Sequence, residues 1–463
     1  MTHTHDALII GAGQAGPPLA QRLTAAGMSV GLIERKLFGG TCVNTGCIPT
    51  KTLIASAYAA HLARRAGEYG FSTGGEVTVD MKAVKARKDR VVTRARGGVE
   101  SWLEQMERCT VYRGHARFVS PREVQVGGER IAGKQIFINV GGRAVVPDLP
   151  GIDRVGTMTN TSILDLDMLP QHLVVIGGSY VGLEFAQMYR RFGAAVTVVE
   201  MAPRLIARED EDVSAAVREI LEAEGIAVRL EAKCIRFEPR GVEIAVGVDC
   251  ASGAPEVVGS HVLLAVGRRP NTDDLGLEKA GVETNARGYI VVDEELCTSA
   301  PGIWALGDCN GRGAFTHTAY NDFEIVAANL LNGERRRVSD RVPGYALYID
   351  PPLGRVGMTE AQARATGRPL LAGRRPMTRV GRAIEKGETQ GFMMAVADAE
   401  THDVLGAAIL GTGGDEAIHG ILDVMNARLP YTMLQRAVPI HPTVSELIPT
   451  LLGEMKPVTG PNR

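Results

Sequence analysis

The stretch Gly39-Gly40-Thr41-Cys42-Val43-Asn44-Thr45-Gly46-Cys47-Ile48-Pro49-Thr50-Lys51 sets two cysteines close together between glycines, followed by a proline and a lysine. A thiolate, rather than a thiol, attacks a disulfide or binds a soft metal. Such a pair is therefore equipped for redox chemistry. Free cysteines also serve as small buried hydrophobes, so the pair alone leaves both readings open. A plant-type iron–sulfur site needs a third cysteine where Thr50 stands. Zinc sites use C-x2-C pairs, and the chain has none. No metal site is expected. Cys109, Cys234, Cys250, Cys297 and Cys309 are isolated and read as structural; Cys309 differs from the others in following Asp308 directly.

Redox cysteines need an element that holds a cofactor against them. Ala7 to Ile10 reads as a strand, Gly11-Ala12-Gly13-Gln14-Ala15-Gly16 as a turn, and the next residues to about Ala25 as a helix. A second strand, Ser29 to Ile33, ends in Glu34. This is G-x-G-x-x-G in its proper context, with an acid about 20 residues on. Gly11 permits the tight turn, Gly13 the approach of a pyrophosphate, Gly16 close helix packing, and Glu34 a bond to a ribose. Pro17-Pro18 is tolerated in a first helical turn, whose amides are unpaired anyway.

The pattern recurs at the same spacing. Leu173 to Ile176 is a strand, Gly177-Gly178-Ser179-Tyr180-Val181-Gly182 the turn, a helix runs to about Phe192, and the strand Ala195 to Val199 ends in Glu200. Two dinucleotide-binding folds are predicted. Ser179 replaces the middle glycine with another small residue. Glu200 favours the free 2′-hydroxyl of NADH, while Arg204 keeps NADPH open.

The remaining chain bounds the class. With 463 residues, about three domains are expected. A composition of 45% hydrophobic and 22% charged residues is that of a globular protein. A net charge of -2 and 5% aromatics offer no case for a nucleic-acid partner. No apolar run could span a bilayer and no signal peptide is read, so no membrane partner and a cytoplasmic location are expected. In that compartment a close cysteine pair points to catalysis more than to structure. The helix predicted over Met81 to Gln105 carries seven basic residues from Lys82 to Arg96, read as a solvated face. The Thr2-His3-Thr4-His5 start reads as a floppy polar terminus with at most weak affinity for Cu(II).

Taken in order, the Gly11 to Gly16 turn, the Cys42/Cys47 box, the Gly177 to Gly182 turn, Val266-Gly267-Arg268-Arg269-Pro270-Asn271, Gly307-Asp308, and His441-Pro442-Thr443 with Glu446 resemble the pyridine nucleotide-disulfide oxidoreductases. This is the superfamily of glutathione reductase and dihydrolipoamide dehydrogenase. The resemblance covers essentially the whole chain. It implies an α/β enzyme with two Rossmann-type domains, for FAD and NAD(P)H, and a C-terminal α+β dimerisation domain. The expected division is 1–150 and 268–337 for FAD, 151–267 for NAD(P)H and 338–463 for the homodimer contact. Cys47 would be the charge-transfer thiol beside the flavin and Cys42 the interchange thiol. Lys51 would sit near flavin N5, paired with Glu184. Asp308 would hold the ribityl chain, with Gly141 and Gly267 at cofactor-binding turns. His441 and Glu446 would be the acid-base pair, contributed across the dimer.

Around the box, Thr50-Lys51-Thr52-Leu53, Asp350-Pro351-Pro352 and Arg355-Val356-Gly357-Met358 resemble the mercuric-reductase-like branch, which includes a reactive-chlorine-responsive flavoprotein. Mercuric reductases carry a C-terminal cysteine pair, and this tail has none. The expected acceptor is therefore a small disulfide, an oxidant or a soft metal ion. A dihydrolipoamide dehydrogenase and a non-catalytic redox sensor are the alternatives.

Overall fold

The computed structural model describes residues 2–249 and 253–458. Cys250 lies outside the described residues, as does the side chain of Cys234. The strand Thr2–Ile10 opens the chain. It pairs in parallel with Val30–Glu34 on one side and with Glu129–Ile138 on the other. The first residues are thus sheet, not a loose terminus: Thr2 pairs with Arg130 and His5 with Gly133, and His5 is buried against the Tyr112 hydroxyl. The strand's backbone pairing overrides its polar composition. Cys109–Arg113 and Ile303–Ala305 add to the same sheet in parallel, and an antiparallel meander, Ala116–Ser120 and Glu123–Val126, extends it to seven strands.

A five-stranded parallel sheet carries the second dinucleotide fold, with His172–Ile176 between Ala195–Val199 and His261–Leu264. These central strands read as continuous apolar runs because both faces are covered, one by helices and the other by the antiparallel strands Lys233–Arg240, Glu243–Asp249 and Glu256–Gly259. Leu173, Val175 and Val198 are fully buried with Phe185, Tyr189 and Leu221 of the flanking helices. The chain passes from one fold to the other and back at one place, where Gly142–Ala144 pairs antiparallel with Arg268–Pro270. Gly141 (φ +64°) and Gly267 (φ +119°) lie at the ends of that pair and supply the left-handed turns it needs. A third body follows: the antiparallel sheet from Gly344–Leu347 onward, whose central strands Phe392–Asp398 and Val404–Leu410 are almost wholly buried.

The two glycine-rich turns share their bonding pattern. Gly11 N–H donates to Ile33 O and Gly177 N–H to Val199 O, each at 2.8 Å. A Cβ on Gly16 would meet Gly11 O at 2.4 Å, and one on Gly182 would meet Gly177 O at 2.1 Å. Helix and strand are packed too closely for any side chain. Pro17 and Pro18 fall in the first turn of the helix Gly16–Ala25, as expected.

The basic helix largely presents the expected solvated face, with Lys82, Arg87, Arg90 and Arg94 exposed, and departs from it at Lys88. It spans Met81–Glu104, capped by Asp80. Lys88 is buried beside Asp89, at 2.5 Å, and Arg87 donates to Thr52 O on the neighbouring helix. Two of its basic side chains therefore serve packing. No helix among the described residues is long and apolar enough to cross a membrane. Replacing Gly182 by Ala should lower unfolding stability by about 1–3 kcal/mol, read as a fall in Tm, because backbone must move to admit the Cβ.

Candidate functional site

The redox loop is stitched onto the first glycine-rich turn. Gly39 N–H donates to Ala12 O, Gln14 Nε2 donates to Gly39 O, and a Cβ on Gly40 would meet Gly13 Cα at 2.8 Å. Gly39 and Gly40 both have positive φ, which lets the chain reverse into the short helix Gly40–Asn44. Asn44 Nδ2 then ties Phe38 O and Gly40 O, and Asn160 Nδ2 holds Thr45 O from the second fold. The helix Cys47–Arg64 begins at the second cysteine. The box is helical because Pro49 sits in its first turn, where it fits without losing a bond.

Cys42 and Cys47 are both free thiols here, close enough to share a hydrogen bond. That bond separates their acidities. Donation from Cys42, then the Thr316 hydroxyl and the Lys51 charge, bring Cys47 down to about 6 against the opposing effect of burial. The same bond to Cys47, with burial, pushes Cys42 up. The Thr316 Oγ1 to Cys47 Sγ distance is 3.2 Å. Cys47 also stands at a helix N-terminus, where a negative charge is favoured. At neutral pH the dithiol therefore holds its negative charge on Cys47.

One turn further along the same helix, Lys51 Nζ lies 2.7 Å from Glu184 Oε2. Glu184 is buried in the second fold's helix Tyr180–Phe192, and its other oxygen accepts from Tyr348 N–H of the C-terminal body. Lys51 Nζ also sits 4.4 Å from the centre of the Tyr348 ring, a cation–π contact.

Both acids at the strand ends are held alike. Glu34 accepts from Ala12 N–H and Lys36 N–H, Glu200 from Gly178 N–H and Ala202 N–H. Each carboxylate is locked at the mouth of its turn with lone pairs to spare. Arg204 turns away from that mouth, donating to Ala207 O and, more weakly, Glu209 O. Asp308 lies in the short turn Gly307–Asn310, which the buried Asp322 fixes by accepting from Gly307 N–H and Asn310 Nδ2. Burial raises the Asp308 carboxyl, and Arg268 stands 3.8 Å away. Beside it Cys309 is fully buried, its thiol aimed at Ile138 O and Leu306 O and pushed by burial to about 12. It is inert.

A dinucleotide fits the first turn on these residues. Among the described residues no protein acceptor takes the N–H of Gly13, Gln14 or Ala15, a ready cradle for an anion at a helix start. Asn44 Oδ1 is buried without a partner beside the same turn.

His441 Nδ1 lies 2.9 Å from Glu446 Oε2, with the His441 side chain 81% exposed. The chain brings together Cys42, Cys47, Lys51 and Glu184, and separately His441 with Glu446. Within one chain neither His441 nor Glu446 is among the groups acting on the thiols. Thr316 and Tyr348 are not legible in the sequence. They reach the site from distant elements and carry no local motif.

Comparison with known proteins gives the family. Residues 5–322 match the family described as pyridine nucleotide-disulphide oxidoreductase, and residues 343–452 match its dimerisation domain. The chain is 37% identical to the probable pyridine nucleotide-disulfide oxidoreductase RclA of Escherichia coli, covering 98% of this chain and 99% of that protein. It is 36% identical to a dihydrolipoyl dehydrogenase of Thermus scotoductus, covering 96% and 95%, and 33% to a mercuric reductase of Streptomyces lividans, covering 96% and 95%. A solved structure, the Cu(II) complex of the HOCl-induced flavoprotein disulfide reductase RclA from Escherichia coli, superposes with a TM-score of 0.89 at 36% identity, covering 97% of this chain and 99% of that one.

Two measurements check the site. The long-wavelength absorption of a thiolate against flavin should disappear on acidification through about pH 6, since protonating Cys47 removes the donor. Thr316→Val should raise that midpoint by about one unit, the worth of a hydrogen bond to a charged acceptor. Lys51→Met should cost about 3 kcal/mol in urea unfolding, because Glu184 is left buried without its counter-ion.

Proposed function

The chain belongs to the pyridine nucleotide-disulfide oxidoreductases, and on that premise we propose that it passes electrons from NADH through Cys42 and Cys47 to a small disulfide, an oxidant or a soft metal ion. The family uses FAD and NAD(P)H, and these groups supply the two-electron transfer when bound. Gly11, Gly13, Gly16, Glu34, Gly141 and Asp308 would hold FAD. Gly177, Gly182, Glu200 and Gly267 would hold the nucleotide. The observation that carries the reading is the split acidity of the two thiols, on a loop tied to a dinucleotide cradle.

In this reading Cys47 keeps the thiolate and Lys51, held by Glu184, keeps a positive charge beside it. Cys42 attacks one sulfur of a disulfide acceptor and the first thiolate leaves. Cys47 then attacks the Cys42 sulfur, the second thiolate leaves, and the Cys42–Cys47 disulfide is restored. A base must take the Cys42 proton before it attacks and return it to the first leaving thiolate, the second taking one from water, and no histidine is among the groups acting on the thiols within one chain. His441, oriented by Glu446, would meet that need from the partner subunit of a homodimer. Val438 and Ile440, which lead into His441, are 95% and 80% exposed, and a second subunit would cover them. Glu200, with Arg204 turned to backbone carbonyls, favours NADH over NADPH.

The acceptor separates the alternatives. A dihydrolipoyl dehydrogenase is among the relatives, whereas the RclA structure was solved with Cu(II). A steady-state panel of lipoamide, glutathione disulfide, Hg(II) and Cu(II), each with NADH and NADPH, decides between them. Turnover with NADH and an acceptor other than lipoamide, abolished by Cys42→Ser, is the expected result. Fast reversible turnover with lipoamide alone would reassign the enzyme to dihydrolipoamide oxidation. Absence of turnover with every acceptor would support the redox sensor.

A further inference from the structure

Arg355 is the largest fully buried side chain among the described residues, and it touches neither the thiols nor the two dinucleotide turns. Its guanidinium donates to Glu209 Oε2 through Nε at 2.9 Å and Nη2 at 2.5 Å, and to Asp210 Oδ2 at 3.1 Å. Two carboxylates face this guanidinium, and Arg374 acts on Asp210 as well. Asp210 spends part of its charge on the N–H groups of Glu360 and Ala361, at the start of the helix Glu360–Ala365. Glu209 Oε1 receives two hydroxyls instead: Tyr345 at 2.8 Å and Tyr180 at 3.0 Å. The cluster joins the loop before the helix Glu211–Ala223 of the second fold to the strand Leu353–Gly357 of the C-terminal sheet.

Both tyrosines lead toward the thiols. Tyr180 opens the helix Tyr180–Phe192, and Glu184 lies four residues on, on the same face. The Tyr345 ring meets Tyr180 edge-on at 5.6 Å and stacks on Phe315, also at 5.6 Å. Phe315 precedes Thr316, whose hydroxyl touches Cys47. Phe315 also stacks against His317, which is bonded to Gly344 O next to Tyr345.

We propose that Glu209 is a positioning residue: through the Tyr180 and Tyr345 hydroxyls it sets the start of the second fold's helix and the aromatic stack behind Thr316, and so couples the nucleotide-binding fold to the Cys47 thiolate. The tyrosine hydroxyls are held as donors, since burial and the Glu209 charge raise Tyr180 and bring Tyr345 to about 12. Cys47 itself faces Cys42, Thr316, Lys51, Glu184 and Tyr348, and of these Thr316 directly follows Phe315 of the stack. This role rests on the redox reading of the two thiols.

Tyr345→Phe and Tyr180→Phe remove one hydroxyl each and leave the rings in place. With FAD-loaded protein reduced by dithionite, Tyr345→Phe should raise the pH midpoint of the thiolate–flavin absorption by about half a unit or more. Tyr180→Phe should lower kcat/KM for NADH about tenfold while the acceptor KM stays put. Glu209→Gln should do both, and Glu209→Asp should recover part of each. A midpoint for Tyr345→Phe within about 0.2 units of wild type overturns the assignment, as does a Tyr180→Phe kcat/KM within about twofold, whatever happens to Tm. Should Glu209→Gln fail to fold, the two tyrosine variants decide. Should neither nucleotide reduce the wild-type protein, the redox reading falls, and the midpoint in dithionite-reduced Tyr345→Phe alone decides the role of Glu209.

Discussion

Glu184 is the carboxylate on which three parts of the molecule meet. Lys51 reaches it from the redox helix of the first fold, and Tyr348 N–H from the C-terminal body, while Glu184 itself belongs to the second fold. Burying a carboxylate is costly unless a counter-ion and hydrogen bonds compensate it. Each of the other two bodies contributes one piece of that compensation. The meeting of the folds and the placement of a positive charge beside Cys47 are thus one constraint, met by one cluster.

The thiols show why such a constraint is useful. Two identical side chains given the same surroundings would titrate together. Here Cys47 opens a helix, accepts from Cys42 and Thr316 and lies near Lys51, while Cys42 donates to its neighbour and is held up by burial. One sulfur is favoured as a thiolate and the other as a thiol. The asymmetry comes from position in the fold.

A repeated sequence pattern is repeated in detail by the structure. The turn glycines, the strand-to-turn bonds and the two N–H donors on Glu34 recur at Gly177 to Gly182 and Glu200. Glycine spacing and a terminal acid are local requirements of one βαβ turn, so they can be read from a string of letters. The cysteine box is local in the same way, and so are His441 and Glu446, five residues apart and bonded. The helix that follows the box begins at Cys47, with Pro49 in its first turn.

One sequence expectation gave way, and another met one exception, for the same reason. Thr2 to His5 is polar yet lies in the central sheet, and Lys88 is charged yet buried, because pairing with Glu129–Ile138 and with Asp89 outweighs composition. The sequence by itself determined the two dinucleotide turns, the redox pair and the likeness to a family, since each is a short motif whose chemistry is contained in its own residues. Only the tertiary structure decided that Thr316 lies against Cys47 and Tyr348 against Lys51, that Arg204 turns away from Glu200, and that Glu209 binds two tyrosines from different elements. Those facts depend on contacts between residues far apart in the chain, which form only when sheets and helices close on one another.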